Sequence, residues 1–210
     1  MEWFFALALG YLLGSVPFGL ILTRAFGAGN LREIGSGNIG ATNVLRTGSK
    51  GLAAATLLLD SAKGASAVVL ATSWLDNGFA AMAGLAALVG HCFPIWLKFR
   101  GGKGIATLLG VSFALDWRIG LAALLTWLIA AWVTRISSVA GLTSALASPI
   151  VALVIARTTE PNLFFLEVIF IRYLNVYALG LMTLIVFWQH RSNIARLRAG
   201  TEARIGSKPE

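Results

Sequence analysis

Long apolar runs separated by short polar stretches dominate the pattern of this chain. A helix needs about 20 predominantly apolar residues to cross a bilayer. On this criterion the sequence predicts seven segments, at about 3–23, 51–75, 78–97, 104–116, 118–134, 137–156 and 173–189. The fourth segment is short, so we expect it to be buried among neighbouring helices or flanked by a thinned bilayer. The pattern predicts an all-α integral membrane protein with seven transmembrane helices, folded as one domain over residues 1–210.

Three features within the apolar segments add detail. The stretch Gly14-Ser-Val-Pro-Phe-Gly19 predicts a kink in the first segment and supplies small residues for close helix contact. Asp60 and Lys63 lie three residues apart in the second segment, so they can pair on one helix face, either for function or for packing. Residues 163–174 are apolar but carry charged side chains, which suits an interfacial helix or an extension of the last segment.

Charge identifies the surroundings and the orientation. The chain has a net charge of +8, which by itself suggests nucleic acid, but its basic residues lie in the gaps between apolar segments. The positive-inside rule explains this distribution with a lipid bilayer and no nucleic acid. One side of the membrane collects Arg24, Arg32, Arg46, Lys50, Lys98, Arg100, Lys103, Arg135, Arg191, Arg196, Arg198, Arg204 and Lys208. The other side holds only Arg118, Arg157 and Arg172. We therefore expect the N-terminus outside and the C-terminus in the cytoplasm.

The first cytoplasmic loop, 24–50, contains the stretch Gly35-Ser-Gly-Asn-Ile-Gly-Ala-Thr-Asn-Val-Leu-Arg46. Glycines let a backbone approach a ligand closely and line up N–H groups as an anion nest. Side chains that can add hydrogen bonds or charge to a phosphate are Ser36, Asn38, Thr42, Asn43 and Arg46. A flexible connector would also be rich in glycine, but it would not need these polar side chains in close order.

The second cytoplasmic loop runs through Phe99-Arg-Gly-Gly-Lys-Gly104 into the fourth segment. The start of a helix offers free N–H groups and the positive end of the helix dipole, so Lys103 would stand at an anion site. The stretch is not an ATP-binding P-loop, because Leu97 replaces the leading glycine and Gly104 replaces the serine or threonine.

The tail continues from the last segment as His190-Arg-Ser-Asn-Ile-Ala-Arg-Leu-Arg-Ala-Gly-Thr-Glu202. If the helix continues, His190, Asn193 and Leu197 share one face and point toward the other loops. Alternatively, the tail is a basic flank that only anchors the helix. Because both loops and the tail lie on one side of the membrane, we expect them to share a pocket.

Several familiar catalytic groups are missing. Cys92 is the single cysteine, and adjacent residues such as His91 and Cys92 do not face each other on a helix. No His, Asp or Glu cluster has metal-ligand spacing, so we predict neither a metal nor another cofactor. Carboxylates on the predicted cytoplasmic face are scarce, namely Glu33, Glu202 and Glu210.

Taken together, the stretches 35–46, 90–104 and 190–202 resemble the bacterial acyl-phosphate:glycerol-3-phosphate acyltransferases, the PlsY family. The resemblance implies a seven-helix enzyme of the bacterial inner membrane. Such an enzyme transfers a fatty acyl group from acyl phosphate to the 1-hydroxyl of glycerol 3-phosphate and makes lysophosphatidic acid for phospholipid biosynthesis. It would use no cofactor, depend functionally on an enzyme that forms acyl phosphate, and use a substrate phosphate as the proton acceptor.

The resemblance also implies roles for the residues quoted above. Catalytic roles are expected for Ser36, Arg46, Lys103, His190 and Asn193. Substrate binding is expected for Gly37, Asn38, Gly40, Thr42, Asn43, Gly101, Gly102, Gly104 and Arg196. The first loop would cradle the acyl phosphate, while His190 and Asn193 orient glycerol 3-phosphate. His190 is open to two roles, as a general base or as a hydrogen-bond donor to phosphate.

The main alternative is a membrane transporter or channel for an organic phosphate. Transporters typically show repeat symmetry and a binding site near the bilayer midplane. This sequence shows no internal repeat, and its polar motifs cluster at one interface. A membrane scaffold is a third possibility, which leaves the glycine-rich loops unexplained.

Overall fold

The computed structural model describes residues 1–75, 77–158 and 166–206, and every regular element in these ranges is a helix. Two single 3₁₀ turns, Leu45–Thr47 and Ile95–Leu97, accompany the α-helices. The α-helices are α1 Glu2–Gly14, α2 Phe18–Ala25, α3 Ala41–Val44, α4 Lys50–Trp74, α5 Asn77–Cys92, α6 Ile105–Leu115, α7 Trp117–Thr134, α8 Ser137–Thr158, α9 Leu166–Gln189 and α10 Arg191–Arg198.

Six helical segments in the described ranges are long and apolar enough to cross a membrane. They are Glu2–Ala25, Lys50–Trp74, Gly78–Leu97, Trp117–Thr134, Ser137–Thr158 and Ile169–Gln189. The predicted fourth segment is the shorter helix α6, whose 11 residues extend about 17 Å at 1.5 Å per residue. Its buried face includes Leu108 and Val111, and a Cβ added at Gly110 would come within 1.9 Å of the Ser61 carbonyl oxygen of α4. The expectation of a short helix packed among its neighbours is confirmed.

The first span is interrupted, as its sequence predicts. Helix α1 ends at Gly14, Pro17 precedes the first residue of α2, and the chain between them is not helical. Proline has no N–H to donate and breaks the ladder of helical hydrogen bonds. The carbonyls freed at the break accept hydrogen bonds from other helical segments, with the Trp96 indole 2.8 Å from the Ser15 oxygen and Lys63 Nζ 2.8 Å from the Val16 oxygen.

The predicted pair in the second segment is also confirmed. Lys63 Nζ lies 2.7 Å from Asp60 Oδ1, and both side chains are buried. Small residues allow the close contact between α1 and α5, because a Cβ at Gly10 or Gly14 would meet the backbone of Ala83 or Ala87. The outward faces of the helices carry exposed apolar side chains, as expected of surfaces in contact with lipid.

The last span begins earlier than predicted and ends at the predicted residue. Helix α9 begins at Leu166, so the apolar stretch from this residue onward extends the last span, while 163–165 lie outside the described residues. The sequence left open whether this helix continues into the tail, and in the structure it is interrupted. Helix α9 ends at Gln189 and α10 begins at Arg191, with His190 between them at φ −95° and ψ 7°. Apolar periodicity does not report such a break, because the residues on both sides of it favour helix.

Candidate active site

A cavity of about 340 Å³ opens where the first loop, the second loop and the tail converge. The expectation of a shared pocket for the three motifs is confirmed. Every residue predicted for the site lines this cavity except Gly37, Gly101 and Gly102, which shape the loops behind it. Residues that the sequence analysis did not assign to the site also line it, including Leu57, Asp60, His91, Ile105, Trp127, Ser138 and Glu202.

The first loop is organised around the buried side chain of Asn43. Its Nδ2 donates to the carbonyl oxygens of Leu31, Ile34 and Asn38 at 3.0, 3.0 and 2.7 Å. Its Oδ1 accepts from the N–H of Ser36 at 3.2 Å. All of its polar atoms are therefore engaged within the loop. In this structure Asn43 holds the loop in shape, and a direct bond from it to phosphate would break these contacts.

Arg46 lies across the start of the same loop. Gly35 has a φ of +54°, and a Cβ there would stand 2.5 Å from Arg46 Nη1 and 2.8 Å from Asn43 Oδ1. Glycine is required at this position for both reasons, since a side chain would meet strain and a clash. The exposed Ser36 side chain and the Arg46 guanidinium both line the cavity, where they can donate to an anion.

Arg32 joins the two loops. It donates to the Gly37 carbonyl oxygen at 3.3 Å and, through its other terminal nitrogen, to the carbonyl oxygen of Arg100. No specific signal in the sequence points to this role, because one arginine in a basic loop resembles any other.

The second loop is fastened to the end of α5. The N–H groups of Gly101 and Gly102 donate to the carbonyl oxygens of Cys92 and His91, each at 3.0 Å. Gly104 has a φ of +85° and immediately precedes α6, so Lys103 stands at the N-terminus of that helix as predicted. A Cβ at Gly104 would come within 2.8 Å of Leu88, which explains the requirement for glycine.

A chain of polar contacts links the second loop to the tail. Lys103 Nζ donates to Asn193 Oδ1 at 2.5 Å, and Asn193 Nδ2 donates to Glu202 Oε1 at 2.5 Å. Glu202 also accepts from Arg196 Nε at 2.6 Å and from Ser138 Oγ at 2.7 Å. These bonds orient the Asn193 amide, since its oxygen must face the lysine and its nitrogen the carboxylate.

Glu202 is the main site residue that the sequence analysis left without a role. Burial raises its pKa, but hydrogen bonds from Asn193, Ser138 and Arg196 outweigh burial and hold the pKa below the usual range. The carboxylate is therefore ionised at neutral pH and serves as an acceptor for three donors. Its place at the end of the quoted tail motif, as an acid within a basic segment, was the available signal.

The pKa of the Lys103 side chain lies close to neutral pH. Burial lowers the pKa of its ammonium group to about 8; Glu202 acts to raise the pKa, while Arg196 and Arg46 lower it further. The lysine is mostly protonated at pH 7 and places a positive charge at the N-terminus of α6. Together with Arg46 and Arg196 it gives the cavity a concentration of positive charge suited to phosphate.

His190 presents an acceptor to the cavity. Its Nδ1 lies 2.8 Å from the Val186 carbonyl oxygen, which can only accept, so Nδ1 carries the proton. Burial lowers the pKa of the ring to about 4, and the Lys103 cation adds to this, against raising effects from the Val186 hydrogen bond and Glu202. The neutral ring then leaves a lone pair on Nε2, which can accept a hydrogen bond from a substrate hydroxyl.

The cavity as a whole is amphipathic. Arginine, lysine, serine and asparagine side chains lie beside an apolar wall that includes Leu57, Ile105 and Trp127. Within the described ranges, no group of three or more His, Cys, Asp or Glu residues could hold a metal ion. The arrangement can bind phosphate groups and keep an apolar chain beside them.

Residues 4–200 match the family model for glycerol-3-phosphate acyltransferase. The chain belongs to the glycerol-3-phosphate acyltransferase family. The acyltransferase of that name from Ruegeria sp. (strain TM1040) is 56% identical over 200 residues, which cover 95% of this chain and 92% of the relative. The one from Ruegeria pomeroyi is 54% identical over 201 residues, which cover 95% and 91%.

Solved structures of this acyltransferase family share the fold. The glycerol 3-phosphate form of PlsY (YgiH), an integral membrane glycerol 3-phosphate acyltransferase, superposes with a TM-score of 0.85 at 31% identity, covering 98% of this chain and 96% of that one. Its lysophosphatidic acid form superposes with a TM-score of 0.80 at 29% identity, covering 97% and 95%. The resemblance expected from the three motifs is confirmed. Membership of this acyltransferase family favours an enzyme over the transporter, channel and scaffold alternatives.

Proposed function

We propose that this chain transfers a fatty acyl group from acyl phosphate to the 1-hydroxyl of glycerol 3-phosphate and releases lysophosphatidic acid and phosphate. The observation that carries the proposal is the single cavity in which Arg46, Lys103 and Asn193 meet beside an apolar wall. Two phosphorylated substrates need cations and donors, and one of them also needs room for an acyl chain. The reaction is a step of phospholipid biosynthesis.

Each motif has a separate task in this proposal. Ser36, Asn38 and Thr42 of the first loop donate to the acyl phosphate, with Arg46 as the charge partner of its phosphate. Lys103 binds the phosphate of glycerol 3-phosphate at the N-terminus of α6, where the helix dipole also favours an anion. Asn193 and Arg196 line the facing wall and bind glycerol 3-phosphate. Asn43 and the glycines give the loops the shape on which these contacts depend.

The chemical step needs little from the protein beyond positioning. The 1-hydroxyl oxygen attacks the acyl carbonyl carbon, the bond from that carbon to the phosphate oxygen breaks, and phosphate leaves. His190 accepts a hydrogen bond from the hydroxyl at Nε2 and aims it at the carbonyl. The hydroxyl proton passes to a substrate phosphate, because the cavity carboxylates in the described residues, Asp60 and Glu202, are already in ion pairs. Cations and N–H groups stabilise the developing oxyanion.

The membrane setting is part of the proposal. The chain forms one domain with seven membrane crossings, of which the short helix α6 is the fourth, in the bacterial inner membrane. The excess of Lys and Arg at the end that holds the cavity supports a cytoplasmic active site and an N-terminus on the outside. No cofactor is needed, since acyl phosphate carries its own leaving group. An enzyme that makes acyl phosphate is the expected functional partner.

The function is tested with purified protein in detergent or liposomes. We expect lysophosphatidic acid and one equivalent of phosphate from acyl phosphate and glycerol 3-phosphate, and no product from acyl-CoA or acyl carrier protein. Lys103→Ala should lower kcat/KM by at least about tenfold, because a charge-assisted contact contributes roughly 1.5–3 kcal/mol. Product formed from acyl-CoA alone would show that the donor is wrong, and absence of product from every donor would reject the function.

The proton acceptor is tested at His190. His190→Gln keeps an amide near the position of Nε2 but cannot accept a proton at neutral pH. If a substrate phosphate takes the proton, we expect a raised KM for glycerol 3-phosphate with much of kcat retained. A fall in kcat of roughly 10²–10⁴-fold at saturating substrate, the scale of a missing general base, would instead assign that role to His190.

A further inference from the structure

The ring of His91 lies between helix α4 and the second loop. On one side its Nδ1 is 3.7 Å from Asp60 Oδ1 of α4. On the other side its Nε2 faces the second loop, where a Cβ added at Gly102 would be only 2.1 Å away. The ring is 4% exposed. It therefore fills the space between α4 and the loop, and any change in its size is felt by Gly102.

Both backbone polar groups of Gly102 are fixed by hydrogen bonds. Its N–H donates to the His91 carbonyl oxygen at 3.0 Å. Its own carbonyl oxygen accepts from Gln189 Nε2 at 3.3 Å, and the same amide donates to the Cys92 carbonyl oxygen at 3.1 Å. Lys103 is the next residue, so the position of its backbone follows from that of Gly102.

On the opposite side of the ring, Asp60 is itself held in place by its neighbours. Asp60 is paired with Lys63 at 2.7 Å, and Lys63 donates to the Val16 carbonyl oxygen in the break of the first span. Both side chains are buried, so the pair has little freedom to move. The acyl transfer step described above uses none of Asp60, Lys63 and His91.

We propose that His91 is a positioning residue for Lys103. The ring packs between the Asp60 side chain and the second loop, its contact with Gly102 sets the position of that residue, and Gly102 in turn fixes how far Lys103 Nζ reaches toward a bound phosphate. The inference rests on the proposed function, because its readout is the KM for glycerol 3-phosphate. Displacement of a binding group by about 1 Å costs up to roughly 10²-fold in catalytic efficiency.

Two variants separate the two sides of the ring. His91→Asn places an amide where Nδ1 stands and leaves the side facing Gly102 empty, whereas His91→Gln reaches the position of Nε2. We expect His91→Asn to raise the KM for glycerol 3-phosphate roughly 10–100-fold while kcat changes by a few-fold or less. His91→Gln should stay nearer to wild type. Val68→Ala, a buried change elsewhere on α4, is the matched control and should leave KM unchanged.

A double substitution tests the contact itself. Gly102→Ala places a methyl group against the ring and should raise KM. Adding His91→Asn makes room for that methyl group, so the double variant should have a lower KM than Gly102→Ala alone. If His91→Asn does not accumulate in the membrane, Gly102→Ala with His91→Gln provides the same comparison, since a flexible side chain can move aside.

The outcomes distinguish this inference from the function on which it rests. If the two substitutions multiply their effects on KM, or if a folded His91→Asn variant has the KM of wild type, His91 does not act through the loop and the inference is overturned. If wild type makes no lysophosphatidic acid from any donor, the function itself fails.

Discussion

At the scale of single residues, the lowered pKa of Lys103 has a direct kinetic consequence. The ammonium group is charged below its pKa of about 8 and loses its proton as the pH rises through that value. Glycerol 3-phosphate is dianionic throughout this range, because the second pKa of a phosphate monoester is about 6. We expect kcat/KM, which reports the free enzyme, to fall with a one-proton slope above about pH 8.

Lys103→Arg provides the control for this pH profile. Its guanidinium stays charged to well above pH 11, so the fall near pH 8 should disappear even though overall activity is lower. Steady-state kinetics from pH 6.5 to 9.5 with both proteins make the comparison. An unchanged fall near pH 8 in Lys103→Arg would assign the titration to another group.

His190 should show no titration in the same range. Burial lowers its pKa to about 4, and the hydrogen bond to Val186 places the neutral proton on Nδ1. The chain contains 2 histidines, so ring-labelled protein gives few signals to assign, and His190→Gln identifies the signal of interest. We expect its NMR shifts to be constant between pH 5.5 and 8 and to match the Nδ1–H tautomer. A midpoint near 6.5 would instead mean that the ring becomes cationic within this range and can then donate to phosphate through both nitrogens.

At the scale of helices, the close contact between α4 and α6 requires glycine at position 110. A Cβ at Gly110 would stand 1.9 Å from the Ser61 carbonyl oxygen, whereas a Cβ at Gly180 of α9 meets nothing within 4 Å. We expect Gly110→Ala to destabilise the fold by about 1–3 kcal/mol through overpacking. Gly180→Ala should be neutral or stabilising by up to about 1 kcal/mol, because alanine is the better helix former.

Thermal unfolding of both glycine variants in the same detergent measures this difference. Equal stability of the two proteins would mean that a side chain at position 110 fits between α4 and α6 without lowering the free energy of unfolding. The comparison also bears on the active site, because α6 carries Lys103 at its N-terminus and α4 carries Asp60.

The elements that the sequence predicted are those encoded by apolar length and by proline. The spans, the short buried α6 and the break near Pro17 follow from these signals, and the charge pair follows from the spacing of Asp60 and Lys63. Whether the helix breaks at His190 stayed open, because no glycine or proline marks the position. At the break the His190 ring contacts the Val186 carbonyl oxygen, four residues earlier in α9.

The sequence predicted many of the residues that form the site but not the hydrogen bonds that connect them. An asparagine in a glycine-rich loop has the same appearance whether it binds phosphate or, as Asn43 does, three carbonyl oxygens of its own loop. The contact of Glu202 with Ser138 joins distant parts of the chain, so no local pattern reports it. The bond from Arg32 to the second loop is of the same kind.

At the scale of the whole molecule, the proposed orientation can be tested by labelling cysteines. Cys92 is buried, and Cys92→Ser gives a background without reactive thiols. Lys50→Cys and Arg198→Cys are exposed positions near the cavity end, and Trp117→Cys lies at the opposite end of the bundle. A membrane-impermeant thiol reagent should label the first two only in inverted vesicles and the third only in intact spheroplasts. The reverse labelling pattern would mean that the active site lies on the outer side of the membrane.

The interrupted first span has a consequence for how the protein is made. Helix α1 leaves the ribosome before α4 and before the Trp96 turn, yet these later segments donate to the carbonyls freed at Ser15 and Val16. Unsatisfied backbone carbonyls are costly in hydrocarbon. The first span should therefore remain beside the insertion machinery, or keep water at its break, until its partners have been synthesised. Release of the nascent N-terminal helix into lipid is then timed by the arrival of Lys63 and Trp96.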